Sequence, residues 1–199
     1  MSIPASYFDQ LFADSQDPWA FSERWYEQRK RDLTLASLPH QHYANVFEPG
    51  CANGELSRAL AARSTRFLGM DICARAVALA RARLAQCSQA RVEVGAAPGD
   101  WPAEQFDLIV LSELGYYLDG DQWQQLVQQA RQSLRPRGTL IACHWLHPIE
   151  GCALSGRQVH ELLDQHLALP RLLRHEERDF LLEVWTADAD TLSLEERLN

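Results

Sequence analysis

This sequence predicts a doubly wound α/β fold with a mostly parallel, seven-stranded sheet, and three observations lead there. Between about residues 44 and 145, short apolar runs alternate with segments of helical periodicity. That alternation belongs to a parallel sheet covered by helices on both faces. The first apolar run passes through the turn Glu48-Pro49-Gly50-Cys51-Ala52-Asn53-Gly54 into a helical pattern that begins at Glu55. Strand, glycine loop and helix in that order make a nucleotide-binding crossover. Near the end of the chain two strand-like runs are joined by a short charged turn, so the sheet is expected to finish in an antiparallel edge hairpin.

Taken in order, the chain opens with two helices that the sheet does not require. Tyr7, Phe8, Leu11 and Phe12 recur at helical spacing between Ile3 and Asp14. Asp17-Pro18-Trp19 then breaks the pattern, because Pro18 restricts Asp17 to extended geometry and Asp17 suits a turn. A second helix is expected from about Ser22 to Ser37, carrying Trp25-Tyr26-Glu27 and the basic group Arg29-Lys30-Arg31, with Pro39 past its end. Residues 1–40 thus read as an N-terminal helical cap and 41–199 as a Rossmann-like core, one domain over 1–199. Strands are expected at about 44–48, 66–71, 91–95, 106–112 and 138–145, and helices at about 54–63, 73–86 and 121–135. Arg135-Pro136-Arg137-Gly138 is a sharp connection that stops the last of these helices. A helix at about 156–166, with Val159, Leu162 and Leu163, leads to the edge runs Arg171–His175 and Phe180–Ala187.

Bulk properties narrow the function. A net charge of −8 and a pI near 5.3 argue against a nucleic-acid groove, which needs clustered Lys and Arg. Arg171, Arg174 and Arg178 are interleaved with Glu176, Glu177 and Asp179, the pattern of a solvated face. No run approaches the roughly 18 apolar residues of a membrane helix, and no basic-then-apolar secretory signal opens the chain. Five cysteines without a C-x-x-C pair suggest reduced thiols. A cytoplasmic protein acting on a small molecule is the expectation.

The ligand is read from the turn. A dinucleotide site wants G-x-G-x-x-G, whose middle glycine makes room for a pyrophosphate. Here Cys51 and Ala52 stand between Gly50 and Gly54, and Glu48 would repel a phosphate but suits an ammonium group. A second acid, Asp71, ends the next strand 17 residues past Gly54, near the spacing of an acid that grips a ribose. Two acids flanking one glycine loop fit S-adenosylmethionine, with its zwitterionic tail and ribose hydroxyls. The remaining strand ends carry Gly95-Ala96-Ala97-Pro98-Gly99-Asp100-Trp101 and Ser112-Glu113-Leu114-Gly115-Tyr116-Tyr117.

On Glu48–Gly54, Asp71, the strand Phe106-Asp107-Leu108-Ile109-Val110 and the turn Leu134-Arg135-Pro136-Arg137-Gly138, the chain resembles the class I S-adenosylmethionine-dependent methyltransferases. Asp17-Pro18-Trp19, the Tyr26-Glu27 helix, Glu113 and Tyr116-Tyr117-Leu118 look similar to the nodulation protein S family, N-methyltransferases of a deacetylated amino sugar in a chitooligosaccharide. The likeness covers roughly the first 140 residues. It implies that Glu48, Gly50, Cys51 and Gly54 take the methionine end of the cofactor, Asp71 the ribose, and Ile72 the adenine. Ala97, Pro98 and Ser112 complete the cofactor set, with backbone carbonyls or Asp100 serving the adenine amine. Trp19, Tyr26 and Lys30 would close over the cofactor, Lys30 pairing its carboxylate. The stretch Cys143-His144-Trp145-Leu146-His147-Pro148 departs from that family, which leaves the sugar open.

Methyl transfer is an in-line displacement whose acceleration comes mostly from positioning, and an amine acceptor must also lose a proton. The candidate bases are Glu113, His144 and His147, with Glu113 ranked first to orient the acceptor. Tyr116, Tyr117 and Trp145 are candidates to line the acceptor cleft, since aromatic faces suit sugar rings. No metal is expected: Cys143 and His144 are neighbours on a strand and point to opposite faces, and no zinc spacing appears. The expected activity is N-methylation of an amino sugar or sugar-derived amine. Its rivals are an O-methyltransferase with a His base, a nicotinamide-dependent oxidoreductase, and a protein that binds S-adenosylmethionine without turnover.

Overall fold

The structure, a computed structural model, describes residues 2–188. Two helices, α1 (Ala5–Asp14) and α2 (Trp25–Ala36), precede the sheet. The core then runs β1 (Tyr43–Pro49), α3 (Glu55–Ala62), β2 (Ser64–Asp71), α4 (Ala74–Arg83), β3 (Ala90–Val94), β4 (Phe106–Ser112), a 3-10 turn (Gly115–Tyr117), α5 (Gly120–Ser133) and β5 (Leu134–Trp145). Helix α6 (Gly156–Leu167) and strands β6 (Arg171–Glu176) and β7 (Phe180–Thr186) complete it.

The sheet order is β3-β2-β1-β4-β5-β7-β6. The first five strands are parallel, and β7 is antiparallel to both β5 and β6, as the edge hairpin required. Strand order reverses between β1 and β4, which is where an open α/β sheet has a crevice at its carboxyl edge. Side chains alternate across the sheet. Val46, Val110 and Cys143 face α3 and α4 through Leu56, Leu60, Val77 and Ala80. Phe47, Ile109, Leu111 and Leu140 face α5 and α6 through Trp123, Leu126, Val159 and Leu163.

Local chemistry sets the helix starts. Asp119 caps α5 by accepting from Gln122 N at 3.1 Å, and Ser155 and Gln158 form a reciprocal capping box on α6. One boundary differs from the sequence expectation. The stretch Leu134–Arg137 belongs to β5, with Leu134 opposite Phe106 and pairing resuming at Thr139 opposite Leu108. The intervening residues form an irregularity, where Pro136 has no N–H to give a ladder. The arginine strip also differs from a purely solvated face: Arg171 and Arg174 both reach the fully buried Glu183, at 3.0 and 2.9 Å. Among the described residues no helix is long and apolar enough to cross a membrane.

Candidate active site

At the reversal point a cavity of about 350 Å³ opens, the size of a small-molecule site. Its floor is the carboxyl edge of β2, β1, β4 and β5, and its roof is the N-terminal cap.

The β1 side is built by the glycine turn. Gly50 and Gly54 adopt φ of +73° and +82°, a region open to glycine and costly to other residues. Gly50 N and Cys51 N both donate to Met70 O, at 2.7 and 3.1 Å, which folds the loop over the end of β2. Asp71 locks it from the other side, accepting from Ala52 N and Cys73 N at 2.9 Å each. Burial raises the Asp71 pKa, and these two N–H groups oppose the rise. Glu48 is more extreme. Buried beside the loop, it is bonded to Ser57 Oγ and has no cationic partner among the described residues. Desolvation, opposed by the Ser57 hydrogen bond and reinforced by Asp71, pushes its pKa up to about 8. Asn53 Oδ1 is likewise buried with no partner among the described residues, while its Nδ2 donates to Gln16 O and Asp17 Oδ1 at 3.2 and 3.3 Å. A buried acid without a cation, an unpaired amide oxygen and a concave loop suit a ligand with an ammonium group and hydrogen-bonding hydroxyls.

The β4–β5 side centres on Glu113, the residue after β4, whose φ of +54° is left-handed for a non-glycine. Its Oε1 accepts from Lys30 Nζ at 2.6 Å. Its Oε2 accepts from the Tyr116 hydroxyl and from Trp145 N, the latter at 3.1 Å. Lys30 is buried and reaches a second carboxylate, Glu27, at 3.0 Å. Desolvation works against the ammonium, but Glu113 and Glu27 outweigh it and raise the Lys30 pKa. Burial first and Glu113 second raise the Tyr116 pKa, so its phenol remains a donor. Tyr7, Phe8, Tyr117 and Trp145 supply the aromatic wall. The cap is pinned over it: Ile3 N donates to Tyr117 O at 2.8 Å, and Asp17 holds Phe21 N and Ser22 N at 2.9 Å each.

The expected residues divide in two. Glu48, Gly50, Cys51, Asp71, Ile72, Ala97, Ser112, Glu113, Tyr116, Tyr117, Trp145, Trp19 and Lys30 all line this one cavity. Five others do not. Gly54 caps α3, where a Cβ would meet Ala80 at 3.0 Å. Pro98 is buried and does not line the cavity. Tyr26 packs edge-on against Trp145 and Phe180 instead of closing over a ligand. His147 pairs with Asp179 at 2.6 Å outside the wall. His144 is fully buried in the α5–α6 layer, where Gly115 N donates to its Nε2 at 3.1 Å. Lys30 lines the cavity, but its ammonium is committed to Glu113 and Glu27 rather than left open for a ligand carboxylate. Asp100 accepts from Ala96 N at 2.9 Å and stands off the wall, which leaves Ala96 and Ala97 there. Sequence reasoning missed Glu27 and Asn53. The signal for Glu27 was present, three residues before Lys30 on one helix face.

Comparison with known proteins agrees with this geometry. Residues 46–138 match the Methyltransferase domain family. A crystal structure of a Pseudomonas syringae protein provisionally classed as a methyltransferase is 49% identical, covering 82% of this chain and 99% of that one, with a TM-score of 0.74. Nodulation protein S of Sinorhizobium fredii is 32% identical over 106 residues, 53% of this chain and 49% of the relative. The chain spans about half the length of the curated relatives it matches. The N-methyltransferase NodS of Bradyrhizobium japonicum, solved with S-adenosyl-L-homocysteine, shares the fold with a TM-score of 0.83 at 24% identity, over 92% of this chain and 97% of that one. The turn, the two acids and the sheet order therefore have one common explanation: the chain belongs to the class I S-adenosylmethionine-dependent methyltransferases.

Proposed function

We propose that this chain methylates the nitrogen of a small amine, borne on an amino sugar or sugar-derived metabolite. One observation carries the reading: on the acceptor side, two carboxylates, Glu27 and Glu113, share the single ammonium of Lys30 within an aromatic wall. Even with Arg24 and Arg31 on the wall beside Lys30, the lining as a whole carries more carboxylates (Glu27, Glu48, Glu55, Asp71 and Glu113) than cations. That balance favours a cationic guest, and Tyr117 and Trp145 offer faces to its ring or carbon skeleton. The relatives named N-methyltransferases support the same reading. Neither His144 nor His147 lines the cavity, so the rival reading of an oxygen acceptor with a histidine base finds no support there.

Bound S-adenosylmethionine would supply an activated methyl group on a sulfonium. Glu48 would take its ammonium, Asp71 the ribose hydroxyls, Ile72 and Ala97 the flat apolar faces of the adenine, and the Gly50–Cys51 backbone the tail. Glu113, held by Lys30, Tyr116 and Trp145 N, would orient the incoming amine and receive its hydrogen bond. Its partners are all donors, so it acts by positioning before it acts as a base. The odd cysteine count without C-x-x-C pairs supports a cytoplasmic setting for this chemistry.

The test is release of S-adenosylhomocysteine with a panel of glucosamine, deacetylated chitooligosaccharides and simple amines, set against hydroxylated compounds of similar size. Turnover with amines, lost in Glu113→Gln, is the expected result. Turnover confined to hydroxyl acceptors would overturn the nitrogen assignment.

A further inference from the structure

Beneath the acceptor side lies a buried chain of polar groups that does not line the cavity. Gly115 N donates to His144 Nε2 at 3.1 Å. His144 Nδ1 stands 3.1 Å from His160 Nε2, and His160 Nδ1 stands 2.7 Å from Glu183 Oε2. Arg171 and Arg174 close the chain on Glu183 Oε1. All three middle groups are buried, from three separate elements: β5, α6 and β7.

The chain admits one arrangement of protons. Because His144 Nε2 accepts from a backbone N–H, its proton must sit on Nδ1. His144 Nδ1–H then donates to His160 Nε2, so His160 in turn carries its proton on Nδ1 and donates to Glu183. Reversing the middle bond would leave His144 without any proton. Burial and the neighbouring His160 also lower the His144 pKa well below its ordinary value, which keeps Nε2 available as an acceptor.

What the accepting nitrogen holds is the turn after β4. Gly115 sits where a Cβ would come within 2.5 Å of Val159, so the turn is pressed onto α6 and its backbone N–H is out of reach of water. Two residues earlier is Glu113 in its left-handed conformation. Between them Leu114 packs over Gly50, where a Cβ would meet Leu114 Cδ1 at 3.2 Å. The same turn therefore bears on both halves of the site.

We infer that His144 is a positioning residue: held in one tautomer by His160 and Glu183, it fixes the Glu113–Gly115 turn and through Leu114 the glycine loop. This inference does not depend on the identity of the methyl acceptor. The test uses the full chain and S-adenosylhomocysteine. In nitrogen-15 spectra of uniformly labelled wild type, His144 and His160 should both show protonated Nδ1 and bare Nε2. His144→Phe removes the acceptor and should weaken S-adenosylhomocysteine about tenfold and speed amide exchange at Gly115, since an unpaired buried N–H is costly. His144→Gln, whose side-chain oxygen can accept from Gly115 N, should recover most of the affinity even where it does not recover the melting temperature. If His144→Phe does not fold, His160→Leu provides the second arm: it removes the acceptor of His144 Nδ1–H, and should speed amide exchange at Gly115 and weaken the ligand by a smaller factor. A wild-type His144 protonated at Nε2 would overturn the inference. So would a His144→Phe protein that loses thermal stability alone while keeping ligand affinity and Gly115 protection.

Discussion

The two halves of the cavity are made in different ways. On the β1–β2 side every important group lies within a short stretch: Glu48, Gly50, Cys51 and Asn53 in one turn, with Asp71 at the end of the neighbouring strand. Its donors and acceptors are mostly backbone, fixed by strand and helix before any ligand arrives. On the β4–β5 side the groups come from three distant parts of the chain, Glu27 and Lys30 on α2, Glu113 after β4 and Trp145 at the end of β5. A local turn can be shared widely among relatives because it asks for a common feature of the ligand. A site assembled by packing can change partners when any one element shifts, which is where acceptor choice belongs.

If this contrast holds, the acceptor side should be the more vulnerable to single changes in stability. Lys30→Met leaves two carboxylates without their ammonium, and breaking a buried ion pair this way costs about 3–5 kcal/mol. At roughly 2–4 °C per kcal/mol for a chain of this size, calorimetry should record a fall of about 10 °C. A variant melting with wild type would show that the cluster is solvated and the contrast false.

Asp71→Ala strikes the other side. It removes the lock on Ala52 N and Cys73 N and, on the proposed binding mode, two ribose contacts. Charge-assisted bonds of about 1.5–3 kcal/mol correspond to a loss of roughly tenfold to a hundredfold in S-adenosylhomocysteine affinity by titration calorimetry. Undiminished affinity would remove Asp71 from the cofactor site.

A subtler effect comes from Glu48. Its folded pKa, about 8, lies above the ordinary carboxylate value of 4.5, so between those pH values the folded chain holds a proton that the unfolded chain has lost. Its stabilising contribution is full below 4.5 and declines as pH rises towards 8. His144 acts with the opposite sign: its lowered pKa costs stability as pH falls below 6.5. Between 6.5 and 8 His144 no longer opposes Glu48, and Glu48 alone should cost the ligand-free protein up to about 1.4 kcal/mol per pH unit in urea unfolding. Glu48→Gln should flatten that slope. A wild-type profile already flat there would mean Glu48 is ionised and paired.

Glu27→Gln should have the smallest effect. It keeps the shape and leaves Lys30 paired with Glu113, so a melting shift of a few degrees is expected with little change in S-adenosylhomocysteine binding. With an amine substrate its KM should rise more than its kcat falls, because the change removes charge from the cleft and leaves Glu113 in place.

The sequence by itself determined the glycine turn, the acid at the end of each of the first two strands, the strand–helix alternation and the antiparallel hairpin. Each is local: glycine spacing, a strand's terminal residue and hydrophobic periodicity are properties of contiguous residues. Tertiary structure alone decided the rest. Tyr26 turned away to Trp145, and Lys30 was claimed by Glu113, 83 residues on. His144 was drawn under the turn by His160 and Glu183 rather than left in the cleft as a base. Those outcomes depend on which face of a strand lies against which helix, and on which buried charge finds a partner there. Burial without a partner is costly, so packing, not spacing, chose the partners.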